Sequence, residues 1–276
     1  IKREDFMNGK KVLFVSSEVI PYLPNNDISS LSYNLPKMVN KNGGQTRIFI
    51  PKYGIINERR HQLHEVIRLS GMNLIIDDID MPLIIKVASI PKERMQVYFI
   101  DNDEYFKNRG LHFNQKNKKL YKDNDERAIF FAKGVVETIK KLNWSPDIIH
   151  VHGWIASLLP LYLKEYYKDE PLFNNSKVVV SIYKNNIKGK LDSKIVKKIK
   201  FDEIESKTLD VLNDATYLNL FKNAVLNSDG VVVAGEKVDE TILELANSIN
   251  KPILKCGFNE GFKEEYLNYY KTKILN

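Results

Sequence analysis

The stretch PDIIHVHGWIASLLPLYL, from Pro146 to Leu163, places a short apolar run directly before a segment with helical spacing. The run from Asp147 to Val151 has the length of a strand and is largely apolar, as in a strand covered on both faces. The segment from Trp154 to Tyr167 is predicted to be a helix. A strand followed by a helix is the repeating unit of a parallel sheet with crossover helices, so this stretch predicts an α/β fold.

The same alternation of strand and helix continues on both sides of this stretch. Runs of β-branched and aromatic residues are bounded by turn residues, and helical segments follow most of them. Strands are predicted at Val12–Ser16, Thr46–Ile50, Lys177–Ile182, Gly230–Ala234 and Pro252–Leu254, and helices from Ser29 to a stop at Asn42-Gly43-Gly44, at Asn124–Leu142 with Asp123 as cap, at Val238–Ile249 and at Glu260–Tyr270. The fold class predicted from this pattern is a doubly wound, Rossmann-like parallel sheet.

Between residues 58 and 100 the pattern changes, because four strand-like runs follow one another without long helices. These runs are Glu65–Leu69, Met72–Ile76, Leu83–Ile90 and Gln96–Ile100. They predict a β-hairpin-rich insertion that ends with a return to the main sheet. Neither an internal repeat nor a Pro/Gly/Ser-rich linker interrupts the chain, so one domain over residues 11–276 is expected, while the Lys-rich segment after Ile182 has no predicted structure.

Composition indicates an ordinary globular protein. Of 276 residues, 43% are hydrophobic and 28% charged, which is not the balance of a disordered chain. Cys256 is the only cysteine and has no partner within the chain, which favours a reducing, cytoplasmic environment. No apolar run reaches the roughly 18 residues of a membrane span, and the net charge of +7 comes without a nucleic-acid-binding motif. Membrane and nucleic acid are therefore not expected partners.

Candidate functional residues follow the predicted strands, because ligands of open α/β sheets bind outside the carboxyl ends of the strands. Glu18 and Tyr22 follow the first strand, and His150, His152 and Trp154 stand at the end of another. The two histidines share one face of their strand, so a role as metal ligands is one alternative. The sequence has no third ligand at a suitable spacing, which favours the other alternative, a structural or ligand-lining role.

A second group of acidic residues, Asp101, Asp103 and Glu104, follows another strand. It is typical of the acidic start of a helix, and paired acid/base catalysis is the alternative. Cys256 has no neighbouring base in the sequence and makes a poor nucleophile.

Several stretches together resemble bacterial glycogen synthases and plant starch synthases. They are KVLFVSSEVIPYL from Lys11, LPKMVNKNGGQTRIFIPKYG from Leu35 to Gly54, VYFID at Val97–Asp101, LYKDNDERAIFF from Leu120 to Phe131, and the stretch from Pro146 to Leu163. The resemblance covers residues 11 to about 248. It implies one half of a glycosyltransferase built from two Rossmann-like domains, which transfers glucosyl units from ADP-glucose to an α-1,4-glucan with retention of configuration.

The chain departs from the family's pattern at several functional positions. The family's Lys-Thr-Gly-Gly-Leu loop falls on Pro24 to Ile28, and the Asp and final His of its His-Asp-Trp-His motif fall on Gly153 and Ile155. The family's Thr-Val-His-Asn falls on Ser181 to Lys184. The family's C-terminal Rossmann domain, which supplies further phosphate contacts, is expected where this chain ends. Autonomous glucosyl transfer is therefore not expected.

The resulting prediction is a protein similar to a synthase catalytic domain that is inactive alone, or alternatively a non-catalytic module that binds a glucan or a protein. No catalytic residue, metal or cofactor is assigned. The candidate ligand-lining residues are Glu18, Tyr22, Phe106, Tyr121, Asp123, Asn124, His150, His152 and Trp154. Expected partners are an α-glucan or other oligosaccharide, and a protein or a second copy bound through an exposed apolar patch that includes Tyr22, Phe106 and Trp154.

Overall fold

The computed structural model of the protein describes residues 7–257 and 261–276. Within these residues the strands are β1 (Lys11–Ser16), β2 (Gln45–Pro51), β3 (His64–Glu65), β4 (Met72–Ile76), β5 (Ile79–Ile90), β6 (Met95–Asp101), β7 (Ile148–His152), β8 (Lys177–Ile182), β9 (Gly230–Ala234) and β10 (Ile253–Cys256). The α-helices are α1 (Asp27–Lys41), α2 (Asp103–Phe106), α3 (Asn124–Leu142), α4 (Leu159–Lys164), α5 (Ile195–Lys200), α6 (Tyr217–Leu226), α7 (Glu240–Ser248) and α8 (Phe262–Tyr269).

One sheet joins the strands in the order β10-β9-β8-β7-β1-β2-β6-β5-β3, and β4 pairs with β5 beside this path. The strands from β10 to β6 run parallel, while β5 is antiparallel to β3, β4 and β6. The chain moves one way across the sheet from β1 to β2 and the other way from β7 to β10. Since crossovers are right-handed, α1 covers one face and α3, α4, α6 and α7 cover the other, while α8 packs beside α1. This confirms the predicted doubly wound fold.

The central strands are covered on both faces, which explains why their sequences are largely apolar. Every residue of β7 and β9 is buried, and so are five of the six residues in β1. Strands covered on both faces cannot alternate between apolar and polar residues. The predicted bounds of β4, β8 and β9 are confirmed residue for residue, and so are those of α3.

The insertion is formed by the antiparallel strands that precede β6. As predicted, β6 returns to the main sheet, where it pairs with β2 in parallel. The strand predicted at Glu65–Leu69 is wrong beyond its first residue: β3 ends at Glu65, and the amides of Leu69 and Ser70 donate to the carbonyl of Val66 in a turn. The amide of Val66 still donates to the carbonyl of Ile85, and contact with β5 resumes where the amide of Gly71 donates to the carbonyl of Leu83. The residues between them loop out of the sheet.

The predicted helix from Trp154 to Tyr167 is wrong in its extent. The chain forms a 3₁₀ turn at Trp154–Ala156 and begins α4 only at Leu159. Pro160 lies in the first turn of α4, where its missing N–H has no helical partner to lose, and this favours a helix start at that point. The predicted last helix began at Glu260, which lies outside the described residues, and α8 is described from Phe262.

The Lys-rich segment after β8 forms helices that the sequence pattern did not predict. It contains α5, a 3₁₀ helix at Lys207–Asn213 and α6. The ammonium group of Lys198 in α5 pairs with Asp125 and Glu126 of α3, each at 2.7 Å. Lys198 is therefore buried, although it belongs to a Lys-rich segment. No helix among the described residues is long and apolar enough to cross a bilayer.

The C-terminal segment packs back on the sheet. The hydroxyl of Tyr269 donates to the carbonyls of Val231 and Pro252, at 3.2 and 2.8 Å, and Tyr270–Ile274 continues as a π-helix. Gly230 lies directly beneath: a Cβ at this position would overlap Tyr269 Oη and Ile274 Cδ1. The absence of a side chain at Gly230 thus allows the final helix to approach β9.

We expect Gly230→Ala to lower the free energy of unfolding by about 1–3 kcal/mol, because the added methyl overpacks this contact. Thermal unfolding should show a fall in Tm of roughly 2–4 °C per kcal/mol. Gly257→Ala is the control, since a Cβ at Gly257 meets no atom within 4 Å. Equal Tm values for the two variants would contradict this account of Gly230.

Candidate functional site

A cleft of about 410 Å³ opens at the carboxyl ends of β1, β7, β8 and β9. It lies where the strand order reverses, between β1 and β7, which is the usual ligand position in open α/β sheets. Its lining consists of Glu18, Asn26, Asp27, Ile28, His112, Gly153, Trp154, Tyr183, Lys184, Asn185, Asn186, Ile187, Phe221 and Glu236. Two of the nine predicted site residues, Glu18 and Trp154, are in this lining.

The N-terminus of α1 forms one wall of the cleft, and side chains of the helix start cap its backbone amides. The side chain of Asn26 accepts from the amide of Ser29 at 2.9 Å, and Ser29 Oγ accepts from the amide of Asn26 at 2.9 Å. Asn26 Nδ2 also donates to the carboxylate of Glu18 at 2.6 Å. A reciprocal capping box uses the amides with which a helix start would otherwise bind an anion.

Carboxylates outnumber cations in the lining. Glu18, Asp27 and Glu236 are acidic, and Lys184 is the basic residue of the opposite wall. Burial raises the pKa of Glu18, and the hydrogen bond from Asn26 lowers it in part. Burial, and then the positive charge of Arg127, lowers the pKa of His112 to about 4, so this imidazole is neutral at pH 7. The cleft thus offers hydrogen-bond acceptors rather than positive charge.

Trp154 combines an apolar ring with an unused donor. Its side chain is buried, its ring packs edge-on against Tyr217 at 5.7 Å between centroids, and the guanidinium of Arg127 lies 5.9 Å from it. The indole Nε1 has no hydrogen-bond partner within the described residues. A buried N–H without a partner costs free energy unless a ligand or water accepts from it.

The two strand-end histidines lie beneath the cleft and not in its lining. Their rings are 4.1 Å apart, as expected for one face of β7. His150 forms hydrogen bonds with Tyr270 through Nδ1 and with Ser181 through Nε2, and His152 forms one with Tyr183 through Nδ1. In the described part of the chain, no three His, Cys, Asp or Glu residues form a group able to hold a metal ion.

Tyr121, Asp123 and Asn124 contact neighbouring protein groups and are not in the cleft lining. Asp123 is the N-cap residue of α3, as predicted, but its carboxylate pairs with Arg109 Nη1 at 2.5 Å and makes no cap hydrogen bond. Asn124 Nδ2 donates to the hydroxyl of Tyr217 at 2.7 Å. The hydroxyl of Tyr121 accepts from the amide of Gly110 at 2.9 Å. These contacts fix the segment that carries His112.

The predicted exposed apolar patch is wrong, because Tyr22, Phe106 and Trp154 are each no more than 6% exposed. Tyr22 packs edge-on against Phe99 at 5.0 Å, and burial raises the pKa of its phenol to about 12. Phe106 packs against Tyr53 at 6.0 Å in the same core. Tyr22 and Phe106 stand near strand ends, but their side chains turn into the helix-sheet packing, whereas the buried Trp154 lines the cleft.

The acidic residues after β6 start a helix, as favoured by the sequence. Asn102 caps α2, accepting from the amide of Tyr105 at 3.0 Å, and Asp103 and Glu104 stand in the first turn. Asp101 pairs with Lys86 at 2.8 Å. None of the three acidic residues lies in the cleft lining.

Sequence reasoning missed the contributions of β8 and β9 to the cleft. Residues Asn185 to Ile187 follow β8, and Glu236 follows β9, so both sets stand at carboxyl ends of parallel strands. The rule that singled out Glu18 and Trp154 predicts these positions too when it is applied to every strand. His112 gives no such signal, because it belongs to a long segment that folds over the sheet.

Comparison with known proteins identifies the family to which this fold belongs. The starch synthase catalytic domain family matches residues 11–254. Glycogen synthase of Chlorobium luteolum is 35% identical over 84% of the chain and 47% of its own length, and that of Pelodictyon phaeoclathratiforme is 34% identical over 96% and 52%. The catalytic domain of starch synthase IV from Arabidopsis thaliana, solved with ADP and acarbose, superposes with a TM-score of 0.71 at 17% identity, over 90% of this chain and 52% of that one.

The architecture is therefore that of a Rossmann-like α/β protein with a cleft at its topological switch point. More narrowly, the chain belongs to the starch synthase catalytic domain family. This confirms the resemblance inferred from the sequence motifs. The chain spans about half the length of the curated relatives it matches.

Acid should destabilise the protein through the buried histidines. Burial lowers the pKa of His152 to about 3 and that of His150 well below its ordinary value. An unfolded histidine takes up a proton near pH 6.5 and the folded one does not, so stability is complete above that pH and lost as the pH falls. Each histidine should cost about 2 kcal/mol at pH 5 relative to pH 7 or above.

We expect urea unfolding to show this loss, and His152→Gln to reduce it by about 2 kcal/mol between pH 7 and pH 5. The matched control is His64→Gln, because His64 is exposed. An unchanged pH dependence in His152→Gln would show that His152 is protonated in the folded protein.

Restoring the family's aspartate at Gly153 should harm the fold. Gly153 has φ 81° and ψ 170°, and a Cβ there would overlap Ser17 Oγ. We expect Gly153→Asp to lower the free energy of unfolding by about 3 kcal/mol, combining backbone strain with overpacking. Gly71→Ala isolates the strain, since Gly71 has φ 85° and open space around it. Unfolding of Gly153→Asp and Gly71→Ala at the same urea concentration would contradict overpacking at Gly153.

Proposed function

We propose that the cleft binds a linear α-glucan or a related neutral oligosaccharide, and that the chain does not transfer glucosyl units from ADP-glucose by itself. Residues 11–276 act as one domain in this proposal, because the strands of the insertion and of the Rossmann-like part join one sheet. The observation that carries the proposal is the charge of the cleft, where three carboxylates face a single ammonium group.

Carboxylates and amides suit sugar hydroxyls. An ionised carboxylate accepts hydrogen bonds and donates none, and asparagine side chains accept and donate. Glu18, Glu236, Asn185 and Asn186 supply such groups around the cleft. The unpaired indole N–H of Trp154 can donate to a hydroxyl or ring oxygen. A neutral polyol satisfies these groups without bringing an uncompensated charge into the site.

The same cleft is poorly suited to the diphosphate of a sugar nucleotide. Transfer from such a donor leaves negative charge on the departing phosphate, which must be met by preorganised positive groups or amides. At the start of α1 the amide of Ser29 is already bound to Asn26, and Glu18 and Asp27 add negative charge. Of ADP and acarbose, the two ligands in the starch synthase IV structure, this cleft is better matched to the one without phosphate.

A thermal-shift assay tests the proposal. Maltoheptaose at about 100 times its dissociation constant should stabilise the fold by about 2.7 kcal/mol, which raises Tm by several degrees. ADP-glucose and ADP should give no comparable shift. Trp154→Phe keeps a ring but removes the N–H, and should weaken maltoheptaose binding about five- to tenfold through loss of one hydrogen bond.

Trp144→Phe is the matched control, since Trp144 is also buried but contacts Arg47 and not the cleft. A clear shift with ADP-glucose, together with turnover in a labelled transfer assay, would refute the proposed lack of activity. Equal maltoheptaose affinities for Trp154→Phe and the native chain would refute the assignment of the cleft.

A further inference from the structure

A second cavity, of about 420 Å³, lies on the helical face of the molecule. It is formed by β4, α3, the segment after α4 and the end of α5, and shares no lining residue with the cleft. Its volume falls within the roughly 300–1,000 Å³ typical of ligand sites. The residues that carry the argument are Ile75, Glu137, Tyr166, Phe201 and Glu203.

Exposed apolar side chains are concentrated at this cavity. Six large apolar residues of the described part of the chain are highly exposed, and three of them line it: Ile75 at 50%, Tyr166 at 44% and Phe201 at 49%. The other three are isoleucines, so both highly exposed aromatic side chains among the described residues meet here. Clustered exposed apolar groups mark binding surfaces, whereas isolated ones are ordinary.

The Tyr166 ring is held in position before any ligand arrives. It packs edge-on against Tyr167 at 4.7 Å and at a tilt against Tyr162 at 6.0 Å. The ammonium group of Lys133 lies 4.9 Å from its centroid. A ring with restricted motion loses little entropy on binding, so this tyrosine is a preorganised platform.

The ammonium group of Lys133, which lies in the cavity lining, already has protein partners. Lys133 Nζ pairs with Asp202 at 2.5 Å and donates to the carbonyl of Ile75 at 2.8 Å. The hydroxyl of Tyr162 donates to the other oxygen of Asp202 at 2.7 Å. Both members of the ion pair are buried and satisfied, so no ammonium group is available to an anionic ligand.

Polar acceptors surround the aromatic rings. Glu137, Glu203 and Asn73 belong to the lining. The backbone of Glu203 has φ 59°, a left-handed conformation that a residue with a side chain adopts at a cost of about 1 kcal/mol or more. Glu203 is exposed, so its carboxylate is open to a ligand.

We infer that this cavity is a second carbohydrate-binding site. The apolar face of a sugar ring can stack on Tyr166 or Phe201, where its C–H groups make weak contacts with the ring. Its hydroxyls can donate to Glu137 and Glu203. Glu137 already accepts from Lys140 Nζ at 3.1 Å and can accept further hydrogen bonds, whereas Glu203 is exposed. An anion would meet these two carboxylates, and the lysine of the lining, Lys133, is already paired with Asp202. The choice of an α-1,4-glucan as the probe rests on the proposed function, but the site itself does not.

Isothermal titration with maltoheptaose tests the inference on the full chain. The native protein should bind about two molecules, one in the cleft and one in the cavity. We expect Phe201→Ser to weaken the cavity site about tenfold, as the loss of an aromatic anchor does, and to leave the cleft site unchanged. Glu203→Gln keeps the side chain's shape but not its charge, and should weaken the same site.

The control is Ile67→Ser, which removes an apolar side chain that is 76% exposed and lies outside the cavity. Circular dichroism confirms that each variant is folded. Loss of binding in Trp154→Phe but not in Phe201→Ser and Glu203→Gln would refute the second site and leave the proposed function intact. Loss in the cavity variants alone would support the second site and refute the cleft. A change of oligomeric state in Phe201→Ser without any change in sugar binding would overturn the inference in favour of a contact between chains.

Discussion

The close contact between the ends of β1 and β7 is the constraint on which the cleft depends. The amide of Ser17 donates to the carbonyl of His152 at 2.9 Å, and Gly153 approaches Ser17 so closely that no side chain fits between them. This contact brings Glu18 to one side of the topological switch point and Trp154 to the other. The cleft is therefore shaped by backbone geometry, which explains how its polar residues can differ from the family's pattern while the fold persists.

The strands and the long helix were predictable because their signals are local. The length of the largely apolar run Lys177–Ile182 predicts a strand, and the spacing of apolar residues in Asn124–Leu142 predicts an amphipathic helix. Helix α5 was not, since it is fixed by the pairing of Lys198 with Asp125 and Glu126, far away in the sequence. A lysine that pairs with a distant carboxylate has the same local pattern as one in water.

The candidate site was predictable in position but not in orientation. A residue that follows the carboxyl end of a parallel strand lies at a known edge of the sheet, and this rule predicts the positions of Glu18 and Trp154. It does not tell whether a side chain faces the cleft or the helices. His150 is covered by Tyr270, which comes from the far end of the chain and bonds to its ring. Only long-range packing decides such a case.

The charge of both cavities is the reason that the same class of ligand is proposed for each. The chain carries a net charge of +7, yet Lys133 in one cavity is paired with Asp202, and Lys184 in the other faces three carboxylates. The positive excess therefore lies elsewhere and does not select the ligand. Neutral sugars bind through hydroxyl contacts and ring stacking, which are individually weak. A polymer presents the same unit many times, so weak sites on one chain gain strength when they engage it together, provided its length spans them.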